Sequence, residues 1–230
     1  MDLGRYERNG TLFTPAELSL IRQKSVCVIG CGGLGGFVIN ALARFGVGRL
    51  VIVDGDVFGL SNLNRQLFAT EKTLGQNKAL VCRDELAKIN SDVSVLAFDQ
   101  MLTESNAASI LKGHDLIMDC LDNPDTRLLL ERCALELGIT VIHAAVSGFW
   151  GQVSTVLPGD NTLQGLYSHW NVEKMEAQRE LGNPVFTVQA VSAIQCSEAL
   201  KYLAHQNEVA NKTLVYIDML SNSIETIDIS

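Results

Sequence analysis

The stretch SVCVIGCGGLGGFVINALARF, residues 25–45, joins a short apolar run to a glycine-rich turn and then to an apolar segment of helical length. Its glycines Gly30, Gly32 and Gly35 have G-x-G-x-x-G spacing, which is typical of a phosphate-binding loop when it follows a strand and opens a helix. Gly30 permits a tight turn, Gly32 lets the backbone approach a phosphate, and Gly35 lets the helix pack closely on the strand. The N-terminus of the helix then attracts the anion. The stretch therefore predicts a nucleotide site, and a glycine-rich turn without a ligand is the alternative.

Apolar runs of strand length alternate with longer amphipathic stretches from residue 25 to about residue 146, a pattern typical of a parallel sheet covered by helices. It predicts strands over 25–29, 50–53, 93–98, 115–120 and 140–146, and helices over 34–45, 75–89 and from 124 onwards. Beyond it we predict strands over 152–157 and 213–218, with a helix over 186–203 between them and one more strand at the end. The predicted fold is α/β, with a Rossmann-like, mostly parallel sheet, helices on both faces, and antiparallel strands added near the C-terminus.

We predict one domain over residues 1–230, the default at this length. Residues 1–24 would form an N-terminal helical arm, because Thr14-Pro15-Ala16-Glu17 combines a capping box with proline at the first helical position. Residues 25–146 would form the nucleotide-binding half, and 147–230 the other half. Turn residues and a charged run over about 159–184 predict a loop or a short helix that crosses one face of the sheet.

Composition excludes several classes of protein. With 47% hydrophobic and 19% charged residues, the chain is not a disordered tail, a collagen-like repeat or a disulfide mini-protein. Its net charge of −8 disfavours binding to nucleic acid or to a membrane surface. It contains no run of about 18 apolar residues and no N-terminal hydrophobic signal, so we expect a cytoplasmic protein. The six cysteines contain no CxxC pair, and we interpret them as core residues in a reducing compartment.

Charged residues downstream of the glycine loop favour ATP over NAD. Asp54 follows the second predicted strand and is placed to accept hydrogen bonds from ribose hydroxyls, although Asp56 beside it is an alternative. Arg65 and Lys78 follow in a polar loop and at the start of the next helix. Together they would neutralise the phosphoryl groups of a triphosphate, whereas either one alone would be interpreted as a surface cation.

Asp122 is the candidate ligand for Mg²⁺. It lies in the loop after the predicted strand 115–120, where ligands of open α/β sheets collect, and a carboxylate there can hold Mg²⁺ between phosphate oxygens. Asp119 is a poorer candidate, because we expect it to be buried and hydrogen-bonded within the strand. The alternative role for Asp122 is helix capping beside Asn123, which precedes Pro124 at the predicted helix start.

Several motifs, taken in chain order, resemble those of the ThiF/MoeB/HesA family, the bacterial relatives of ubiquitin-activating enzymes. The matching segments are Arg5-Tyr6-Glu7-Arg8, Gly30 to Gly35, Asp54, SNLNRQ at 61–66, Gly75-Gln76-Asn77-Lys78, Asp119 to Asn123, and Gly148-Phe149-Trp150-Gly151-Gln152. SNLNRQ is far more specific than the glycine loop. The resemblance implies an adenylyltransferase that uses ATP and Mg²⁺ to activate the C-terminal glycine carboxylate of a small ubiquitin-like sulfur carrier ending in Gly-Gly, of the ThiS/MoaD kind, with release of pyrophosphate.

The resemblance also implies roles for individual residues. Arg65, Lys78 and Arg8 would stabilise the phosphates, and Asp122 would bind the metal ion. Arg8 would reach across a dimer interface into the partner's site, so the resemblance implies a homodimer, with residues 147–230 as the partner-binding half. By similarity, the ATP-binding residues are Gly30, Gly32, Gly33, Gly35, Asp54, Asn62, Arg65, Gln66, Lys78, Asp122 and Asn123.

The chain departs from this family at two points. Where many relatives carry the first of two CxxC zinc-binding pairs, this chain has Leu166-Tyr167-Ser168-His169, and the second pair is absent, so we predict no structural zinc. No cysteine lies between Cys133 and Cys196, so the nucleophile expected around Gln178-Arg179 for a thioester or acyl persulfide is missing. A sulfur donor, if needed, would come from another protein. A nicotinamide-dependent oxidoreductase and a non-catalytic partner subunit with the same fold remain the alternatives.

Overall fold

The computed structural model describes residues 4–9, 12–168, 181–205 and 209–229, and an eight-stranded sheet forms the centre of this structure. The strands are β1 (Ser25–Ile29), β2 (Arg49–Val53), β3 (Ser94–Phe98), β4 (Leu116–Asp119), β5 (Val141–Ser147), β6 (Trp150–Val156), β7 (Thr213–Asp218) and β8 (Ser223–Asp228). Their order across the sheet is β3-β2-β1-β4-β5-β6-β7-β8. The strands β1 to β5 pair in parallel, and β5 to β8 pair antiparallel. The prediction of a mostly parallel sheet with antiparallel strands near the C-terminus is confirmed.

Helices cover both faces of the sheet, as predicted. In the described residues they are α1 (Pro15–Ile21), α2 (Gly33–Phe45), α3 (Lys78–Ile89), α4 (Ala107–Leu111), α5 (Pro124–Leu137), α6 (Thr162–Tyr167) and α7 (Val185–Leu203). Successive residues of a strand point to opposite faces. Val26 and Val28 of β1 therefore pack in a cluster with α1, α2, α3 and α7, whereas Cys27 and Ile29 pack in a second cluster with α4, α5 and α6.

Local sequence signals set the starts of the helices. Thr14 caps α1 with both hydrogen bonds of the capping box, and Asn123 caps α5 ahead of a proline. Asn77 caps α3 with its side chain, so this helix begins at Lys78 and not near Gly75 as predicted. The side-chain oxygen of Asn77 replaces the missing intrahelical acceptors at that point.

The region after β6 agrees with its prediction where the structure describes it. The short helix α6 lies within the segment 159–184, for which the sequence predicts a loop or a short helix. Residues 169–180 lie outside the described residues, and with them the segment Gln178-Arg179. Among the helices that the structure describes, none is both long and apolar enough to cross a membrane.

The strand order reverses between β1 and β4. From β1 the chain adds β2 and β3 on one side, and it then crosses over to add β4 and β5 on the other side. In open α/β sheets, such a reversal leaves a crevice at the carboxyl ends of the two central strands, where ligands bind. The glycine loop follows β1 directly, so the fold brings this loop to the crevice.

Candidate active site

A cavity of about 310 Å³ lies at the carboxyl ends of β1, β2 and β4. Its walls come from the glycine loop, the loop after β2, the start of α3 and the loop between β4 and α5. The predicted site residues that line it are Gly30, Gly32, Gly33, Asp54, Arg65, Gln66, Lys78, Asp122 and Asn123. The structure therefore brings together most of the residues that the sequence singles out.

The glycine loop is a turn in which two positions exclude any side chain. Gly30 has a φ of +96°, and a Cβ atom there would lie 2.6 Å from the carbonyl oxygen of Cys120. A Cβ atom on Gly35 would lie 1.8 Å from the carbonyl oxygen of Gly30, so this glycine lets α2 pack against the turn. Gly32 and Gly33 line the cavity at the start of α2, where the first N–H groups of a helix have no intrahelical acceptor. These N–H groups suit an anionic ligand.

Asp54 follows β2 and is held by the backbone of two neighbouring segments. Its Oδ2 accepts a hydrogen bond of 2.7 Å from the N–H of Cys31, and its Oδ1 accepts one of 2.8 Å from the N–H of Asp56. Burial raises the pKa of Asp54, although both hydrogen bonds and the charge of Lys78 oppose the shift. Each carboxylate oxygen keeps a further lone pair, so Asp54 can also accept a hydrogen bond from a ligand.

Lys78 is the first residue of α3 and is only 7% exposed. Its Nζ lies 2.9 Å from Oδ2 of Asp56, whose side chain is 60% exposed. Asn77 donates hydrogen bonds through Nδ2 to the backbone oxygens of Asp54 and Asp56. These contacts join the loop after β2 to α3, and they hold the ammonium group of Lys78 at the cavity.

Arg65 and Gln66 follow a short 3₁₀ turn at Leu60–Asn62. Nη1 of Arg65 donates to the carbonyl oxygen of Ser61 at 2.8 Å and to Oδ1 of Asn64 at 3.0 Å, which orients the guanidinium group. Gln66 is buried, and its Oε1 has no hydrogen-bond partner among the described residues. A buried acceptor without a donor is unfavourable, so this atom fits a ligand that supplies an N–H or O–H group.

The loop between β4 and α5 presents one carboxylate to the cavity and buries another. Asp119 ends β4 with no exposed surface and accepts a hydrogen bond of 2.7 Å from Nδ1 of His143, as expected for a structural carboxylate. Oδ1 of Asn123 accepts hydrogen bonds from two N–H groups at the start of α5. Because Asn123 caps the helix, the exposed carboxylate of Asp122 is available for a ligand.

Three predicted site residues do not line the cavity. Gly35 packs against the turn, and Oδ1 of Asn62 accepts a hydrogen bond of 2.9 Å from the N–H of Gly59 and so closes the 3₁₀ turn. Arg8 is exposed in another 3₁₀ turn, Gly4–Asn9, near the N-terminus. The contribution of Arg8 to the site of a second copy stays a prediction.

Sequence reasoning missed other residues of the cavity wall. Arg127 of α5 lines the cavity although it is only 3% exposed, and the sequence signal for it is an arginine next to the apolar run of that helix. Gln100, Met101 and Leu102 also line the cavity. Their one signal is that they follow closely after the strand β3, at the same edge of the sheet as the glycine loop.

The donor set suits Mg²⁺ bound together with a phosphate. Mg²⁺ is usually held by one or two carboxylates, substrate phosphates and water, and Asp122 supplies such a carboxylate. Across the described ranges, no group of three or more His, Cys, Asp or Glu side chains could hold a metal ion. The segment 166–169 stands where many relatives carry a zinc-binding CxxC pair. Within it Tyr167 ends α6 and His169 lies outside the described residues, so the absence of zinc stays a prediction.

All six cysteines are buried free thiols. Burial raises the pKa of Cys196 to about 12, and it raises the pKa values of Cys27 and Cys120 as well. The interpretation of the cysteines as core residues is therefore confirmed. A thiolate nucleophile is disfavoured at Cys27, Cys120 and Cys196.

Known proteins resemble this chain in sequence and in fold. The model of the ThiF family matches residues 6–230. SAMP-activating enzyme E1 of Haloferax volcanii is 32% identical over an alignment of 231 positions that covers 98% of this chain and 84% of that protein. Molybdopterin-synthase adenylyltransferase of Salmonella typhimurium is 30% identical over an alignment of 206 positions that covers 87% of this chain and 81% of that protein. The crystal structure of E. coli MccB with ATP has a TM-score of 0.84 at 20% identity, with 99% of this chain and 72% of that chain covered, and shows a similar fold.

Proposed function

The chain belongs to the ThiF family, and from this premise we propose that it is an ATP-dependent adenylyltransferase. Its proposed substrate is the C-terminal glycine carboxylate of a small ubiquitin-like sulfur-carrier protein. The observation that carries the proposal is that Arg65, Lys78 and Asp122 meet at one cavity with the glycine loop. The names of the relatives support the enzyme class, since one is an adenylyltransferase and another an activating enzyme.

The proposed reaction transfers AMP to the partner's carboxylate. A carboxylate oxygen forms a bond to the α-phosphorus of ATP, and the bond from this phosphorus to the oxygen that bridges to the β-phosphate breaks. The electron pair of that bond leaves with pyrophosphate. The nucleophile is already an anion at neutral pH, so no general base is needed. Catalysis then depends on positioning and on electrostatic stabilisation of the phosphate oxygens.

Each part of the cavity suits one part of the nucleotide. The N–H groups at the start of α2, Arg65 and Lys78 would hold the phosphates, and Asp54 would accept hydrogen bonds from the ribose hydroxyls. Asp122 would hold Mg²⁺, which would neutralise negative charge on the phosphates. Lys78 now pairs with the exposed Asp56, and a phosphate would compete for this ammonium group at little cost because the Asp56 carboxylate would be rehydrated.

The proposal extends to a homodimer in which Arg8 completes the site of the second copy. Arg8 is exposed and does not line the cavity of its own chain, which suits that role. Mixing an Arg8→Ala variant with a Lys78→Ala variant tests it. A heterodimer with shared sites would regain one intact site, so activity above that of either variant alone supports the proposal, and its absence in a verified heterodimer contradicts it.

The decisive experiment measures pyrophosphate–ATP exchange with small proteins that end in Gly-Gly. Exchange that requires the partner, together with a partner mass increased by one adenylate, would support the proposed function. A partner lacking its last two glycines is the matched control. No exchange with any candidate, from protein that binds MgATP, would contradict it.

A separate titration tests the alternative that the glycine loop serves a nicotinamide cofactor. Calorimetric titration with NAD and with MgATP compares the two ligands directly. The two cations at the cavity predict a preference for MgATP, because a triphosphate carries more negative charge than the pyrophosphate of NAD. A clear preference for NAD would favour an oxidoreductase.

A further inference from the structure

A group of polar side chains lies behind the wall of the cavity. Asp119 of β4, Arg127 of α5, His143 of β5 and Tyr167 of α6 are all buried, and Gln152 of β6 is half-buried beside them. Buried polar groups lower stability unless they are hydrogen-bonded. Apart from Arg127, none of them lines the cavity, so the proposed reaction assigns them no contact with a substrate.

The hydrogen bonds of this group have a single consistent direction. The hydroxyl oxygen of Tyr167 accepts from Nη1 of Arg127 and from Nε2 of Gln152, both at 2.9 Å. Nε2 of His143 lies 3.1 Å from that oxygen and 3.2 Å from Nε2 of Gln152, and an amide nitrogen can only donate, so Nε2 of His143 is an acceptor. Nδ1 of His143 therefore carries the ring proton and donates it to Oδ2 of Asp119 at 2.7 Å.

The charges within the group balance. Nε of Arg127 lies 3.6 Å from Oδ2 of Asp119, so the buried cation faces the buried carboxylate. His143 is neutral in this arrangement, because Nε2 accepts a hydrogen bond, and burial lowers its pKa. A neutral group joined by these hydrogen bonds holds its members in one geometry.

Two hydrogen bonds connect the group to the loop that carries Asp122. Oδ1 of Asp119 accepts a hydrogen bond of 3.0 Å from the N–H of Leu121, and Nη2 of Arg127 donates to the carbonyl oxygen of the same residue. Nη2 also donates to the carbonyl oxygen of Ala144 at 3.3 Å, which ties the loop to β5. Both backbone groups of Leu121 are thus held one residue before Asp122.

We propose that Asp119, His143, Tyr167 and Arg127 form a positioning unit that fixes the backbone of Leu121 so that the carboxylate of Asp122 is directed into the cavity. His143 and Tyr167 act through the loop and do not touch the nucleotide. The inference rests on the proposed function, because Asp122 is the proposed ligand for Mg²⁺. Loss of a residue that orients a metal ligand lowers metal affinity by about tenfold to about a hundredfold.

The first test compares Tyr167→Phe with Tyr202→Phe by hydrogen exchange of the Leu121 amide. Tyr202 is the matched control, because its hydroxyl accepts a hydrogen bond of 2.9 Å from Oγ1 of Thr140 in a different part of the fold. We expect Leu121 to exchange about fivefold faster in Tyr167→Phe, as for the loss of one hydrogen bond, and at the wild-type rate in Tyr202→Phe. Unchanged exchange in Tyr167→Phe, or equal increases in both variants, overturns the inference.

The second test measures ATP affinity with and without Mg²⁺. In Tyr167→Phe the gain in affinity that Mg²⁺ provides should fall about tenfold, while affinity without Mg²⁺ stays at the wild-type value. A purely structural role would lower both affinities equally, and that result overturns the inference. Tyr202→Phe should keep the full gain.

A pair of substitutions at His143 tests the direction of its hydrogen bond with Asp119. His143→Asn keeps an N–H donor toward Asp119, whereas His143→Leu removes it. Leu121 should therefore exchange faster in His143→Leu than in His143→Asn, and the reverse order overturns the inference. Hydrogen exchange of Leu121 needs no substrate, so it tests the inference even if the proposed function is wrong. Absence of pyrophosphate–ATP exchange in the wild-type protein would contradict the proposed function alone.

Discussion

Asp54 and Cys31 are joined by a hydrogen bond of 2.7 Å from the backbone N–H of Cys31 to Oδ2 of Asp54. The residue that follows β2 is thereby tied to the glycine loop that follows β1. The other carboxylate oxygen accepts from the N–H of Asp56, so one side chain orders two loops of the cavity. A carboxylate with this role serves the fold, and its remaining lone pairs can accept further hydrogen bonds.

Asp54→Asn should lower both stability and the preference for ribose. The amide has one oxygen in place of two, so one buried N–H group loses its acceptor, at a cost of about 1–3 kcal/mol. Urea unfolding measures that cost. Calorimetry with ATP and with its 2′-deoxy and 3′-deoxy forms measures the second effect, because the wild-type protein should favour ATP and the variant should favour it less. An unchanged preference would contradict ribose binding by Asp54.

The stability difference between wild type and Asp54→Asn should depend on pH. Burial raises the pKa of Asp54 above its usual value of 3.8, so the folded state binds this proton more tightly than the unfolded state does. The contribution of Asp54 to stability is therefore greatest at low pH and decreases as pH rises from about 3.8 to the raised pKa. Urea unfolding of both proteins from about pH 3.5 to about pH 7 measures it. A difference that grows with pH over this range would contradict the direction of the shift.

Lys78→Ala should lower pyrophosphate–ATP exchange by about a hundredfold, the usual effect of losing one group that stabilises charge in a transition state. The Lys78 side chain is only 9% exposed, so its removal should also lower the free energy of unfolding through lost packing, and urea unfolding measures that cost separately. Lys88→Ala is the control on the same helix, since that lysine is exposed and paired with Glu85. Equal activity in the two variants would exclude Lys78 from the reaction.

Gly30→Ala should prevent ATP binding and destabilise the fold. The added Cβ would lie 2.6 Å from the carbonyl oxygen of Cys120, at a φ of +96° that alanine rarely adopts. Gly165→Ala in α6 is the control, because its Cβ would meet no atom within 4 Å and alanine favours a helix by about 1 kcal/mol. Thermal unfolding and ATP titration compare the two, and normal ATP binding by Gly30→Ala would show that the loop adjusts.

The native protein should react slowly with iodoacetamide at all six cysteines. They are buried, and burial raises the pKa of Cys196 to about 12. Labelling at about pH 8 should be at least about a hundredfold slower than in urea-unfolded protein, because it requires local opening. Mass spectrometry locates any labelled residue. A cysteine that labels rapidly in the native protein would be a candidate for the covalent step that the sequence analysis finds missing.

Most of the sheet could be predicted because its signals are local. β1, the glycine turn and α2 are consecutive in the chain, and apolar runs distinguish the buried parallel strands. The sequence predicts the start of α3 too early, because Gly75 to Asn77 resemble the first residues of a helix although Asn77 is its cap. The five-residue helix α4 is too short to show a helical period, so the sequence pattern does not predict it.

The candidate site was predictable where the parallel sheet decides it. Residues that follow parallel strands meet at one edge, which accounts for Asp54 and Asp122. Side-chain direction and partners distant in the chain are not encoded in local patterns. The sequence therefore does not reveal that Asn62 closes a turn and does not line the cavity. Nor does it reveal that Arg127 pairs with Asp119 and Tyr167.

The position of β4 beside β1 has a consequence for how the chain folds. Val26 pairs with Leu116, so these two strands can pair only when the long segment between them forms a closed loop. In contrast, β5–β6 and β7–β8 are hairpins of neighbouring residues. Contacts that are distant in the chain form slowly, so we expect the hairpins to form first and the crevice between β1 and β4 to form late. The onset of ATP binding during refolding would then report completion of the central sheet.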